Sequence, residues 1–168
     1  MDKELERLVH KAKGKDPDAF TALMNAYAPH LYKTAKAILM SDEDAADAMQ
    51  ETILTCWEKM ATLKEDRYFK TWVTKILINE CYNLMRGRKG VTYMDEIPEI
   101  PADKEESDLE WKEALAVLSE EYRLVVVLYY AQGFRTKEIA RLLGMSDAAV
   151  RTRLSRAREQ LRKYYEEA

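Results

Sequence analysis

Residues 136–163 read TKEIARLLGMSDAAVRTRLSRAREQLRK, a short helix signal, a glycine turn and a longer, arginine-rich helix signal in close succession. Thr136 is a candidate cap for the first helix, whose apolar side is Ile139, Ala140 and Leu143. Gly144 then offers the positive φ that a tight helix exit needs. Ser146 is a natural N-cap for the second helix, and Asp147 complements its positive end. Val150, Leu154, Ala157 and Leu161 recur at helical spacing and give that helix one narrow apolar stripe. At about 100° per residue, the opposite side presents Ala148, Thr152, Ser155 and Arg156, flanked by Arg151 and, further round, Arg153. Small residues there allow close approach to a groove, and arginines bond guanine edges or phosphates. The pattern predicts a helix-turn-helix with a nucleic-acid-reading second helix; a solvated basic helix of a bundle is the plainer alternative.

The charge distribution sharpens this. The chain has 168 residues and a net charge of −3. Residues 1–90 are nearly neutral, residues 91–122 strongly acidic, and residues 123–168 basic. The pattern predicts a basic C-terminal module tethered through an acidic middle segment.

The rest of the chain reads as helical. Leu5, Leu8, Val9 and Ala12 mark a first amphipathic helix ended by Gly14. Asp16 and Pro17 open a second, striped by Phe20, Leu23, Met24, Tyr27, Leu31, Ala35 and Ile38, with a kink or break expected at Pro29. Ser41 caps a third, whose apolar side is read as Ala46, Met49, Ile53, Trp57 and Met60. A fourth begins near Arg67, turns Trp72, Val73, Ile76, Leu77 and Leu84 inward, and stops at Gly87. Residues 91–106, VTYMDEIPEIPADKEE, carry two prolines and many acids, the composition of a linker. A helix then opens at Ser107, where Ser107 and Glu110 match a capping box; Trp111, Leu115 and Leu118 face inward. The run LVVVLYY, residues 124–130, fits a buried strand or a helix; Ser119, Glu120 and Glu121 before it and Gly133 after it favour helix.

The expected fold is all-α: a four-helix domain over 1–90, an acidic linker over 91–106, and a helix-turn-helix domain over 107–168. Cys56 and Cys81 fall in helical patterns and are expected to be buried free thiols. His10 and His30 have no neighbouring ligand pattern, so neither a metal nor another cofactor is implied. Nucleophile elbow, phosphate loop and metal spacing are all missing from the sequence, which points away from an enzyme with a small-molecule substrate. There is no apolar run near membrane-spanning length and no leader-like segment, so no membrane insertion is expected.

Several stretches together resemble the extracytoplasmic-function sigma factors of the sigma-70 family. LSEEYRLVVVLYYAQGFRTKEIARLLGMSDAAVRTRLSRAREQL, residues 118–161, is similar to that family's C-terminal promoter-reading domain (region 4). DPDAFTALMNAYAPHLYKTAKAIL (16–39), DEDAADAMQETILTCWEKM (42–60) and FKTWVTKILINECYNLMRGRKG (69–90) are similar to its N-terminal domain (region 2). The resemblance implies a cytoplasmic bacterial protein that binds core RNA polymerase and directs it to promoter DNA. It implies −35 reading by Arg151, Thr152, Arg153, Ser155 and Arg156, with Arg135 and Lys137 on phosphates. It implies −10 reading by the loop ATLKEDRYF, residues 61–69, with Lys64, Arg67 and Tyr68, and by the helical stripe Lys75, Asn79, Asn83 and Arg86. Phe69 and Trp72 read as core. The loop departs from the glycine-bearing version common in the family. Asp44, Asp47, Gln50, Glu51 and Glu58 are the implied polymerase-docking face, and an anti-sigma protein is the implied regulator. A stand-alone helix-turn-helix regulator, dimeric on a palindromic operator, is the alternative from a different class.

Overall fold

The structure is a computed structural model and describes residues 2–87 and 106–167, with side chains described throughout except at 106–110. Every regular element among the described residues is helical. The chain divides into two compact units, residues 1–89 and 90–168, each treated by itself below. The acidic segment 91–105 and the capping pair Ser107–Glu110 lie outside the described residues and side chains.

The first unit contains α1 (Lys3–Lys13), α2 (Pro17–Leu39), α3 (Asp42–Lys59) and α4 (Phe69–Gly87). Local chemistry starts each of the first three. Asp2 accepts from the Glu4 amide, Asp16 from the Asp18 and Ala19 amides at 3.0 and 3.2 Å, and Ser41 from the Asp44 amide at 3.3 Å. Two short 3₁₀ turns, Met60–Thr62 and Asp66–Tyr68, carry the chain from α3 into α4, which therefore begins at Phe69 rather than near Arg67. Val9, Leu23, Met60, Phe69, Val73 and Leu77 are fully buried where the helices meet. Phe20 meets Trp57 and Tyr27 meets Phe69 edge-on, with centroids 5.0 and 5.2 Å apart.

Two features differ from expectation. α2 runs unbroken through Pro29. The missing amide frees the Asn25 carbonyl, and both residues are exposed, so water can satisfy that carbonyl. The buried side of α3 is Ala45, Ala48, Thr52 and Cys56, one residue back from the predicted stripe. Ala46, Met49 and Trp57 are only half-buried, and Ile53 is exposed; Met60 alone of that set is fully buried. Small side chains let α3 pack closely on α2 and α4. Thr52 is tolerated in the core because its hydroxyl donates to the Ala48 carbonyl at 2.7 Å.

The second unit contains α5 (Glu106–Ala116), α6 (Glu120–Val126), α7 (Thr136–Leu143) and α8 (Asp147–Glu167). The ambiguous LVVVLYY run is helical, and after Val126 it widens into a π-helical turn, Val127–Ala131. There the Gln132 amide donates to the Val127 carbonyl and the Phe134 amide to the Leu128 carbonyl, both at 3.0 Å. Val125, Val126, Leu128, Ile139, Leu142, Val150 and Leu154 form the core. Leu142, not Leu143, is the deeply buried leucine of α7. Arg135, not Thr136, is the capping position: its amide donates to Glu138 Oε2 at 2.8 Å, so the carboxylate three residues on does the capping work.

Candidate nucleic-acid interface

The turn between α7 and α8 forms as the sequence implies. Gly144 adopts φ 65° and ψ 39°, and the Ala149 amide donates to Ser146 Oγ at 3.1 Å. Val150, Leu154 and Ala157 are buried beneath α8, which fixes its rotation and turns the other face to solvent. That outer face brings together Ala148, Arg151, Thr152, Ser155 and Arg156 around a shallow concavity. Ala148 and Ser155, the small side chains of this lining, leave room for a base edge or a methyl group. Arg151 Nε pairs with Asp147 Oδ2 at 3.2 Å, one turn earlier on the helix.

Arg153 is placed differently from the other four candidate readers. It is partly covered and meets Glu121 of α6 at 3.6 Å, tying α8 to the body of the unit. Arg135 and Lys137 are exposed at the N-terminal end of α7, beside Arg141, which sequence reasoning passed over. Arg141 follows Lys137 by four residues, a spacing that puts both on one helix face.

In the first unit, Lys64, Arg67 and Tyr68 are exposed on the segment between α3 and α4. The Arg67 guanidinium lies 4.8 Å from the Tyr68 ring centroid and is paired with Glu65 at 2.7 Å. Phe69 is fully buried and Trp72 half-buried against it, so these two aromatics serve packing. Lys75, Asn79, Asn83 and Arg86 are all exposed along α4, and Arg86 Nη2 donates to Asn83 Oδ1. Stripe and loop follow one another along the chain and present cations, amides and one aromatic ring, the groups that hold a backbone and bond or stack bases.

The outer side of α3 presents Asp47, Gln50, Glu51 and Glu58, with Asp44 half-buried at its start. Leu54, 58% exposed, falls at helical spacing among them. The sequence signal for it was an apolar residue on the acidic side of the helix. An apolar side chain ringed by charge is the composition of a protein-docking patch.

Neither cysteine is placed to act as a nucleophile. Cys56 and Cys81 are fully buried, and burial, reinforced by the nearby Glu80 carboxylate, pushes both thiols up to about 12. No group of acids, histidines and cysteines among the described residues could hold a metal ion, and no helix there is long and apolar enough to cross a membrane.

Comparison with known proteins agrees with this geometry unit by unit. The family model for Sigma-70 region 2 matches residues 23–91, and that for Sigma-70 region 4 matches residues 108–161. The chain is 25% identical to the ECF RNA polymerase sigma factor SigW of Bacillus subtilis over 182 aligned positions, covering 97% of each protein. It is 29% identical to the RNA polymerase sigma factor SigV of the same species, covering 78% of this chain and 81% of that protein. With the sigma factor RfaY of Xanthomonas campestris it shares 32% identity over 77% of its own length, but it spans only 36% of that relative. Among solved structures, the sigma factor RpoE of Bartonella quintana, determined with the anti-sigma factor NepR, has a TM-score of 0.73 at 27% identity, covering 88% of this chain and 96% of that one. CnrH, determined with the cytosolic domain of CnrY, has the same TM-score at 24% identity, covering 98% and 99%. With both regions matched in order and relatives spanning the full chain, the protein belongs to the sigma-70 family, in its extracytoplasmic-function branch.

Proposed function

We propose that this chain recruits bacterial core RNA polymerase to a defined set of promoters by reading two DNA elements, and that it acts through binding and not catalysis. The observation that carries the reading is the α8 face, where Ala148, Arg151, Thr152, Ser155 and Arg156 line one shallow concavity. A helix so lined enters a major groove, and each bidentate arginine–guanine pair there discriminates by about 1–3 kcal/mol. Arg135 and Lys137 at the start of α7 bind flanking phosphates. In the first unit, Lys64, Arg67, Tyr68, Lys75, Asn79, Asn83 and Arg86 take the unpaired −10 strand, and the free energy of holding those bases drives melting.

The outer face of α3, with Leu54 amid Asp47, Gln50, Glu51 and Glu58, docks on a basic helical surface of the polymerase. An anti-sigma protein that covers these working surfaces keeps the factor idle; such a partner accompanies RpoE in its solved structure. The reading places the protein in the bacterial cytoplasm. Run-off transcription with purified core enzyme and a genomic template library tests it. Discrete new start sites sharing two upstream elements are expected. Failure to produce any promoter-specific transcript refutes it, and a stable dimer on a palindromic operator without polymerase supports a stand-alone regulator instead.

A further inference from the structure

The segment 60–68 is held at both ends by the turn between α1 and α2. At its near end, Lys15 Nζ donates to the Trp57 carbonyl in the last turn of α3, and the same ammonium lies 4.6 Å from the Trp57 ring centroid. At its far end, Lys13 Nζ donates to Asp66 Oδ1 at 3.0 Å, with both side chains largely covered at 26% and 21% exposure. His10, one turn earlier on α1, lies 3.7 Å from the other Asp66 oxygen. Lys15 reaches its carbonyl from a left-handed backbone, φ 66°, a conformation that a lysine adopts only where surrounding contacts hold it. Between the two clamps, Met60 and Leu63 are buried and Lys64 and Glu65 stand outward; Arg67 and Tyr68, also exposed, follow directly after the far clamp. The loop is thus presented on a fixed base.

We propose that the α1–α2 turn is a brace for the −10 reading loop, with Lys13, Lys15 and Asp66 as positioning residues that aim Arg67 and Tyr68 without touching DNA. Both lysines lie ahead of the region 2 match, which begins at residue 23, so α1 becomes part of the promoter-opening machinery. Asp66, next to Arg67 in the loop, serves the brace: its carboxylate is spent on Lys13. The inference rests on the loop's being the −10 reader. It adds that the reader's accuracy depends on two cations separated from it by about 50 residues of sequence.

The test uses holoenzyme assembled from core polymerase and full-length variants: Lys13→Ala, Asp66→Ala, the double variant, and the charge swap Lys13→Asp with Asp66→Lys. The probes are a single-stranded oligonucleotide carrying the −10 element of a mapped promoter and one with that element scrambled. Each single variant is expected to lower the preference for the native oligonucleotide roughly threefold to tenfold. The double variant is expected to lose no more than the worse single, and the swap to recover part of the loss. Core affinity and melting temperature are expected to hold, which separates aiming from folding. Arg67→Ala and Tyr68→Ala serve as reference. If they abolish the preference while Lys13→Ala and Asp66→Ala leave it within about twofold, or if the two singles add fully in the double, the brace is overturned and the loop stands as reader. If the reference variants also leave the preference unchanged, the −10 assignment fails and the brace with it.

Discussion

Replacing Gly144 by alanine isolates a single physical cost. The residue sits at φ 65° and ψ 39°, and a Cβ built there meets no heavy atom within 4 Å. Alanine therefore creates no collision, and the penalty is that of an L-residue in the left-handed region, about 1–2 kcal/mol. Loss of glycine's freedom in the unfolded chain offsets about 0.4–1 kcal/mol of this. The net is about 1 kcal/mol, which lowers the melting temperature of a unit this size by about 4–8 °C. Calorimetry of the full-length protein is the assay, with only the transition of the second unit moving. Asparagine tolerates the left-handed region better, so Gly144→Asn is expected to recover part of the loss. Gly133, at φ 74° and equally open, is expected to behave alike. At 25 °C the alanine variant remains folded and keeps its use of the −35 element. A loss beyond about 4 kcal/mol, or asparagine as damaging as alanine, would refute the reasoning, because either result requires a steric or packing cause.

Arg156→Ala is expected to reduce −35-dependent transcription roughly tenfold or more, in line with the loss of a base contact, while Arg153→Ala chiefly destabilises the second unit; quantitative run-off assays and calorimetry separate them. Asp47→Arg is expected to weaken competition with another sigma factor for core polymerase and to leave melting temperature unchanged, as read by competitive holoenzyme assembly. Cys56 and Cys81 should react slowly with a thiol reagent at pH 8 in the native protein and rapidly once it is unfolded. Their thiols lie near 9 when unfolded and at about 12 when folded, so the folded state holds its protons longer. Stability of the first unit accordingly falls as pH rises from about 9 toward 12, and denaturant titrations across that range measure it.

The helices, three of their caps and the turn glycine were legible because each depends on neighbours within a few residues; Thr136 was read as a cap one position too late. Asp16, Ser41 and Ser146 all accept the amides expected of them. What escaped depended on distance or on size. The α3 stripe was misplaced because periodicity favours bulky residues, whereas Ala45, Ala48, Thr52 and Cys56 fill a narrow gap between helices. Adjacent leucines at 142 and 143 cannot be ranked by spacing alone. Arg153 sits in the same basic run as Arg151 and Arg156, yet its partner Glu121 lies on another helix. Lys13 and Asp66 meet across 53 positions, and no local pattern announces that pair. Of the kink or break expected at Pro29, the break does not form, and the solvent-facing context that allows this was invisible in the sequence.

The widened turn at Val127–Ala131 makes chain length a local variable. Leu128, inside it, and Phe134, past its end and beyond Gly133, are both buried, and the Phe134 amide donates back to the Leu128 carbonyl. A π-turn accommodates one more residue than an α-turn, in the manner of an insertion tolerated as a bulge, while α7 and α8 rest on the core. Natural or engineered variants one residue shorter here are expected to exchange the π-turn for an α-turn. The segment is thus expected to act as a register buffer between the hydrophobic core and the two helices that follow it.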